Sequence, residues 1–311
     1  MHHHGSEDAF VVDWSEAASR LAKAAGTDAG WYAAVAAELV TAHDRVAVDV
    51  GCGGAGMATA LAAAMAGGRV LAVDGDGDVL AAAEERLAGV GALDSVRRVG
   101  RGPEAESWAK AVAVEFVLDD LGGDLATTRA GIAGAGADVV WAAEAVHHAG
   151  DQQRAVDRLA RLLAPGGRLA LAEGGLPVRR LPWDVGLGEP GLEFRLDVAQ
   201  NEWFTQMRRR LPGVVPMPYG WPAALRRAGL TDVRTRSWLF EAPTPLAPAD
   251  HDRIVHELEH RVDRLRPTGL LDRDLAAWDR LLDESDPAWL GHRDDLQRLT
   301  ARSVHIGHLA R

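Results

Sequence analysis

Arg45-Val46-Ala47-Val48-Asp49-Val50-Gly51-Cys52-Gly53-Gly54-Ala55-Gly56 is the stretch on which the reading of this chain turns. Arg45 to Val50 is rich in β-branched and small apolar residues (Val46, Ala47, Val48, Val50), the pattern of a strand buried on both faces. Gly51, Gly53 and Gly56 satisfy G-x-G-x-x-G, and an apolar helical run follows to about Ala66, where Gly67-Gly68 ends it. Glycines permit a tight turn and close backbone approach, and a helix N-terminus presents unpaired N–H groups. Such a loop suits several nucleotide-like ligands, dinucleotides included. Asp49, two positions before Gly51, narrows the choice. A carboxylate there repels a pyrophosphate but accepts hydrogen bonds from an ammonium.

Strands and helices alternate outward from this loop. A second strand, Val70 to Val73, ends in Asp74, and a helix runs from about Asp78 to Leu87. Val112 to Leu118 reads as the third strand, ending in Asp119-Asp120, although a second register places it at Val96 to Val99. Asp138 opens a fourth strand, Val139 to Ala142, and a helix from Gln152 to Leu163 stops at Pro165-Gly166-Gly167. Arg168 to Glu173 is the fifth strand; Val233 to Phe240 and Ser303 to Leu309 read as the last two. This alternation predicts βαβ units and a parallel sheet. The expected fold is a doubly wound α/β protein with a seven-stranded, mostly parallel sheet and helical cap insertions. Residues 1–6, with three histidines, read as a tag. Residues 7–44 read as an N-terminal helical cap in which Asp28 caps the second helix, and 45–175 as the α/β core. Residues 176–222 read as a cap insertion, 223–245 as a return to the core, 246–300 as a helical insertion and 301–311 as the last core strand.

Bulk properties exclude several classes. The 311 residues carry a formal net charge of -11, which disfavours a phosphate backbone as partner, so no nucleic acid is expected. The adjacent Arg208, Arg209 and Arg210 read as a solvated helix face. No run reaches the ~20 apolar residues of a membrane span, so no membrane partner is expected. The one cysteine, Cys52, forbids an internal disulfide and fits a reducing compartment, from which a cytoplasmic location is expected. Oligomeric state is left open.

Taken together and in this order, the motifs resemble the class I S-adenosylmethionine-dependent methyltransferases, a Rossmann-like superfamily. Val48 to Gly56 resembles the first motif, Asp74 the acidic end of the second strand, and Val114-Glu115-Phe116-Val117-Leu118-Asp119-Asp120 the third-strand motif. Val146-His147-His148-Ala149-Gly150-Asp151 and Ala164-Pro165-Gly166-Gly167 are similar to its ubiquinone-biosynthesis-like, small-molecule branch. The likeness spans about residues 40–175, and more loosely 222–242 and 302–311. It implies S-adenosylmethionine as cofactor. Asp74, with Gly75 beside it, would then accept the ribose hydroxyls, and Asp49 would reach the methionine ammonium. Gly51, Cys52 and Gly53 would let the backbone approach. Asp120, following Asp119, would accept from the adenine amino group, and Leu121 would offer its N–H. A backbone carbonyl at Ala142 or Ala143 would accept from the ammonium. The spacing from Asp74 to Asp120 exceeds the family pattern, and residues 101–111 read as an insertion.

In an open α/β sheet, ligands bind outside the carboxyl ends of the strands. Glu144, His147 and His148 follow directly on the fourth strand and are the catalytic candidates, with His147 foremost. Methyl transfer needs alignment and, for some acceptors, removal of a proton. His256-Glu257-Leu258-Glu259-His260 matches H-E-x-x-H literally, but it lies among charged residues without a third ligand on its face, so no metal is expected. Trp183, Trp203, Trp221, Trp278 and Trp289 fall in the irregular or inserted regions and point to a small-molecule acceptor that is flat or hydrophobic. Two other readings remain: a methyltransferase-like protein that binds the cofactor but catalyses another reaction, and a dinucleotide-dependent oxidoreductase.

Overall fold

The computed structural model of the protein describes residues 10, 12–89, 96–98 and 112–311. The tag, Val99 and all of the expected insertion at 101–111 lie outside the described residues. Among the described residues, eight strands form one sheet: β1 (Val46–Val50), β2 (Arg69–Asp74), β3 (Val96–Arg98), β4 (Ala113–Leu118), β5 (Ala137–Ala143), β6 (Leu163–Arg179), β7 (Thr231–Glu241) and β8 (Leu299–His308). Their order is β3-β4-β2-β1-β5-β6-β8-β7. The seven expected strands are all present, and the doubly wound α/β architecture holds. The two registers weighed for the third strand both exist as strands. Ala113–Leu118 is the one that pairs with β2, opposing Leu118 to Asp74, while Val96–Arg98 is an additional strand outside it. Asp119 and Asp120 therefore do follow the strand beside β2.

β1 pairs in parallel with β2 on one side and β5 on the other, so it marks the point where the winding reverses. Ala47, Val48 and Val50 are fully buried, as a central parallel strand covered on both faces requires. β8 runs antiparallel to its neighbours. Gly166 N–H donates to Leu309 and Leu309 N–H to Gly167, so residues near the start of β6 meet the end of β8. Across β7, Thr235 meets His305 and Ser237 meets Ser303, again with opposed direction.

The chain divides into two compact units. The first comprises residues 12–173, 213–236 and 304–311. Its opening helices, α1 (Trp14–Thr27) and α2 (Ala29–Leu39), pack on the core. Asp13 caps α1 by accepting from Glu16 N–H at 3.1 Å, whereas Asp28 makes no capping hydrogen bond to α2. Close approach of these helices explains two of the loop glycines. A Cβ on Gly54 would lie 2.5 Å from the Leu21 carbonyl oxygen, and one on Gly56 would lie 2.5 Å from the Tyr32 ring.

The second unit comprises, among the described residues, 10, 174–212 and 237–303. Its long helices are α7 (Leu192–Arg210), α9 (Pro248–Leu265) and α10 (Asp272–Leu282). α9 buries Ile254, Leu258, Val262 and Leu265, one apolar stripe at helical spacing. Trp203 and Trp278 are buried packing residues, whereas Trp183 is 64% exposed. Trp221 belongs to the first unit, where it packs against the core. Ion pairs tie the helices of the second unit together: Arg180 with Glu193 and Glu257, Arg195 with Asp274, and Asp197 with Arg179 and Arg261. Glu257, the acidic residue of H-E-x-x-H, is thus engaged by the nearly buried Arg180, while His256 is largely exposed and pairs with Glu259.

Candidate active site

The glycine loop leaves β1 and folds over the end of β2. Gly51 and Cys52 both donate their N–H groups to the Val73 carbonyl, at 2.8 and 2.9 Å, and Gly53 N–H donates to Asp74 Oδ2 at 3.0 Å. The first three loop amides are therefore engaged by protein acceptors and do not form a phosphate cradle. Gly51 has φ +70° and Gly53 φ +50°, the left-handed region that glycine adopts without strain. α3 (Gly56–Ala64) begins directly after the loop, with Ala55 itself left-handed at the N-cap.

Two carboxylates line the base of the loop. Asp49 is buried, and its Oδ2 accepts from Ala58 N–H at 2.9 Å, satisfying one of the orphan donors of α3. Burial is the main cause pushing its carboxyl up to about 7, with the Asp74 charge adding in the same direction. Asp74 ends β2; besides Gly53 it accepts from Asp76 N–H at 3.2 Å through Oδ1, and burial raises its pKa too. Each carboxylate oxygen has two lone pairs, so Asp74 keeps acceptor capacity on both oxygens. The Cys52 thiol is buried in the loop, and burial pushes it well above its ordinary value. That leaves it protonated and a poor nucleophile.

Beside β2, the two aspartates after β4 divide their roles. Asp119 Oδ2 accepts from both the N–H and the hydroxyl of Thr128, each at 2.8 Å, and so holds the first turn of α5 (Ala126–Ile132). Asp120 is exposed and stands over Gly75: a Cβ there would lie 3.7 Å from Asp120 Oδ1. Asp120 Oδ1 also accepts from Gly122 N–H at 2.8 Å. Leu121 packs its side chain against the core, and its carbonyl accepts from Arg158.

At the end of β5, Ala143 pairs with Ala172 of β6. Glu144 follows with φ +49°, a left-handed conformation costly for a side chain of this kind, and it is exposed. Val146–His148 then form a short 3-10 turn. Its shape is set by Glu173, near the middle of β6 and only 3% exposed. Glu173 Oε1 accepts from Ala145 N–H at 3.0 Å and Val146 N–H at 2.8 Å, and Oε2 lies 2.8 Å from His147 Nδ1. The His148 ring lies tilted against that of His147, with centroids 4.2 Å apart, and meets Trp14 edge-on at 4.9 Å.

Glu173 was not among the residues singled out from the sequence. Its signal there was modest: an acidic residue at the apparent end of the fifth strand, one strand from the one that carries the histidines.

The residues fit a ligand that is cationic at one end and rich in hydroxyl and amino groups. Asp49, Asp74 and Asp120 are all acceptors, the loop amides are engaged, and Gly51 lacks a Cβ where the chain turns. Residues 48–169 match a family described as a methyltransferase domain. No curated protein matches the chain by sequence. Among solved structures, a provisionally designated methyltransferase from Bacillus halodurans is similar at a TM-score of 0.49 and 15% identity, over 92% of this chain and 100% of that one. The YcgJ protein from Bacillus subtilis is similar at 0.47 and 15%, over 91% and 99%. The phosphoethanolamine N-methyltransferase 2 of Haemonchus contortus, solved with S-adenosyl-L-methionine, is similar at 0.45 and 13%, over 91% of this chain and 53% of that one. Residues 48–169, which hold the ordered motifs from Val48 to Gly167, most of β1 and strands β2, β4 and β5 of the sheet, thus match a methyltransferase domain.

Proposed function

We propose that this protein transfers a methyl group from S-adenosylmethionine to a small-molecule acceptor in the cytoplasm. The observation that carries this reading is the pairing of three carboxylates with a glycine loop whose leading amides are already bound. A dinucleotide needs free loop N–H groups for its pyrophosphate; a sulfonium and an ammonium need acceptors and negative charge. The lone Cys52, buried and reduced, is consistent with the cytoplasm. Bound S-adenosylmethionine would supply an activated methyl carbon. Asp74 would accept the ribose hydroxyls, Asp120 the adenine amino group, and the buried Asp49 would supply negative charge behind the loop. Ala143 would offer its carbonyl at the end of β5. His147 and Glu144, with His148, would stand at the acceptor, orienting it and excluding water.

Calorimetric titration tests the cofactor, with S-adenosylhomocysteine expected to bind and NADH not. Tight NADH binding without response to S-adenosylhomocysteine would replace this reading with a dinucleotide-dependent one. Transfer of label from methyl-labelled cofactor to any acceptor would separate an active methyltransferase from a protein that only binds the cofactor.

A further inference from the structure

We infer that Glu173 is a positioning residue that fixes His147 as a proton acceptor, so that the acceptor substrate is methylated at an atom that gives up a proton. This rests on the methyltransferase reading given above. A carboxylate only accepts, so the 2.8 Å contact between Glu173 Oε2 and His147 Nδ1 requires the proton on Nδ1. In the neutral ring the lone pair then lies on Nε2, the nitrogen directed away from Glu173.

Glu173 is itself held from several sides. Ala145 and Val146 donate to its other carboxylate oxygen. Its carbonyl oxygen lies 3.1 Å from His305 Nε2, and His305 Nδ1 lies 2.8 Å from the Thr235 hydroxyl. A carbonyl only accepts, so His305 carries its proton on Nε2, and Thr235 donates to Nδ1. Burial also holds His305 toward the neutral form. Among the described residues, the titratable groups around His147 include Glu173, the adjacent His148 and, behind Glu173, His305.

If Glu173 served only to shape the 3-10 turn, a neutral acceptor oxygen would do. Both turn amides go to Oε1, and Oε2 is reserved for the imidazole. A carboxylate at that place stabilises the imidazolium formed when the ring takes a proton. That device has a use only where the nucleophile carries a proton too weakly acidic to leave unaided. A phenol, an enol, an alcohol and a protonated primary or secondary amine are such nucleophiles; a tertiary amine or thioether has no proton to lose. For a hydroxyl acceptor, the proton passes to His147 Nε2, the oxygen electron pair forms the bond to the methyl carbon, and the carbon–sulfur bond breaks onto sulfur. The products are a methyl ether and a neutral thioether, and the imidazolium returns its proton to water.

Glu173→Gln tests this. Its amide oxygen can still accept from Ala145 and Val146, while its NH2 group faces Nδ1 and forces the other tautomer. Nitrogen-15 NMR of the full-length protein should show His147 protonated at Nδ1 in wild type and at Nε2 in the variant. With a panel of phenols, primary amines and matched tertiary amines and labelled cofactor, wild type should methylate acceptors that carry a proton on the attacking atom. Glu173→Gln should lower kcat by about 10²–10⁴ with the KM for S-adenosylmethionine within about twofold. The same tautomer in both proteins, or a variant with wild-type kcat, would overturn the inference, as would turnover of tertiary amines alone. Loss of S-adenosylhomocysteine binding by the wild type would instead overturn the methyltransferase reading beneath it.

Discussion

The methyl group of Ala145 occupies the place where a side chain on Gly51 would begin: an ideal Cβ built on Gly51 lies 2.5 Å from Ala145 Cβ. The cofactor loop and the loop after β5 are therefore interlocked. Ala145 is also held through its N–H by Glu173, so the glycine loop, the His147 turn and the buried carboxylate form one packed cluster.

Gly51→Ala should damage this cluster twice, through the clash with Ala145 and through a φ of +70° that alanine resists. A loss of about 2–4 kcal/mol in unfolding free energy is expected. Adding Ala145→Gly should recover the steric part and leave the conformational part. Urea titration of the single and double variants measures both; additive effects would show that the two residues do not touch.

Asp74→Ala should weaken S-adenosylhomocysteine binding by about 1–3 kcal/mol, through loss of a charged acceptor at buried hydroxyls. Because Asp74 also holds Gly53 N–H, Asp74→Asn, which keeps an acceptor oxygen, should keep more of the loop's stability than of the affinity. Calorimetry and thermal melts on the two variants separate these roles, and unchanged affinity in both would remove Asp74 from the site.

Asp49 links the site to pH. Burial raises its carboxyl from 3.8 to about 7 in the folded protein, so the folded state holds a proton that the unfolded state has released over that interval. Stability contributed by this group is therefore present below about 4 and lost as pH rises toward 7 and above. Asp49→Asn retains an acceptor for Ala58 N–H and carries no charge. It should raise the Tm of the cofactor-free protein at pH 8 and leave it unchanged near pH 4, while weakening binding of the cationic cofactor. A Tm difference that is constant across pH would show that Asp49 is not buried as a titrating acid.

Glu144 holds φ +49° with an exposed carboxylate. Glycine at this position should stabilise the fold by about 1 kcal/mol, since the strain has no packing to compensate it. The expected cost is activity. Chemical denaturation paired with turnover measurements checks both, and a Glu144→Gly variant that gains stability and keeps full kcat would show that the side chain takes no part.

The sequence alone determined the alternation of strands and helices, because burial on both faces leaves near-continuous apolar runs such as Ala47 to Val50 and Val70 to Val73. It also determined the glycine loop and the acid at the end of β2, since turn chemistry and strand ends are local. The histidine turn was legible for the same reason: it follows the strand beside β1.

Tertiary structure decided what depends on residues remote in the chain. Which of two strands sits beside β2 is a matter of sheet pairing, and only that pairing placed Asp120 over Gly75 and turned Asp119 toward Thr128. Two tryptophans from the irregular and inserted regions, Trp203 and Trp278, became core because helices packed over them. Glu173 and His147 are 26 residues apart, on neighbouring strands and their loops, and no local pattern pairs them. Their contact exists because parallel pairing of β5 and β6 brings Ala143 beside Ala172, so the residues just beyond each strand's register meet at the same edge of the sheet.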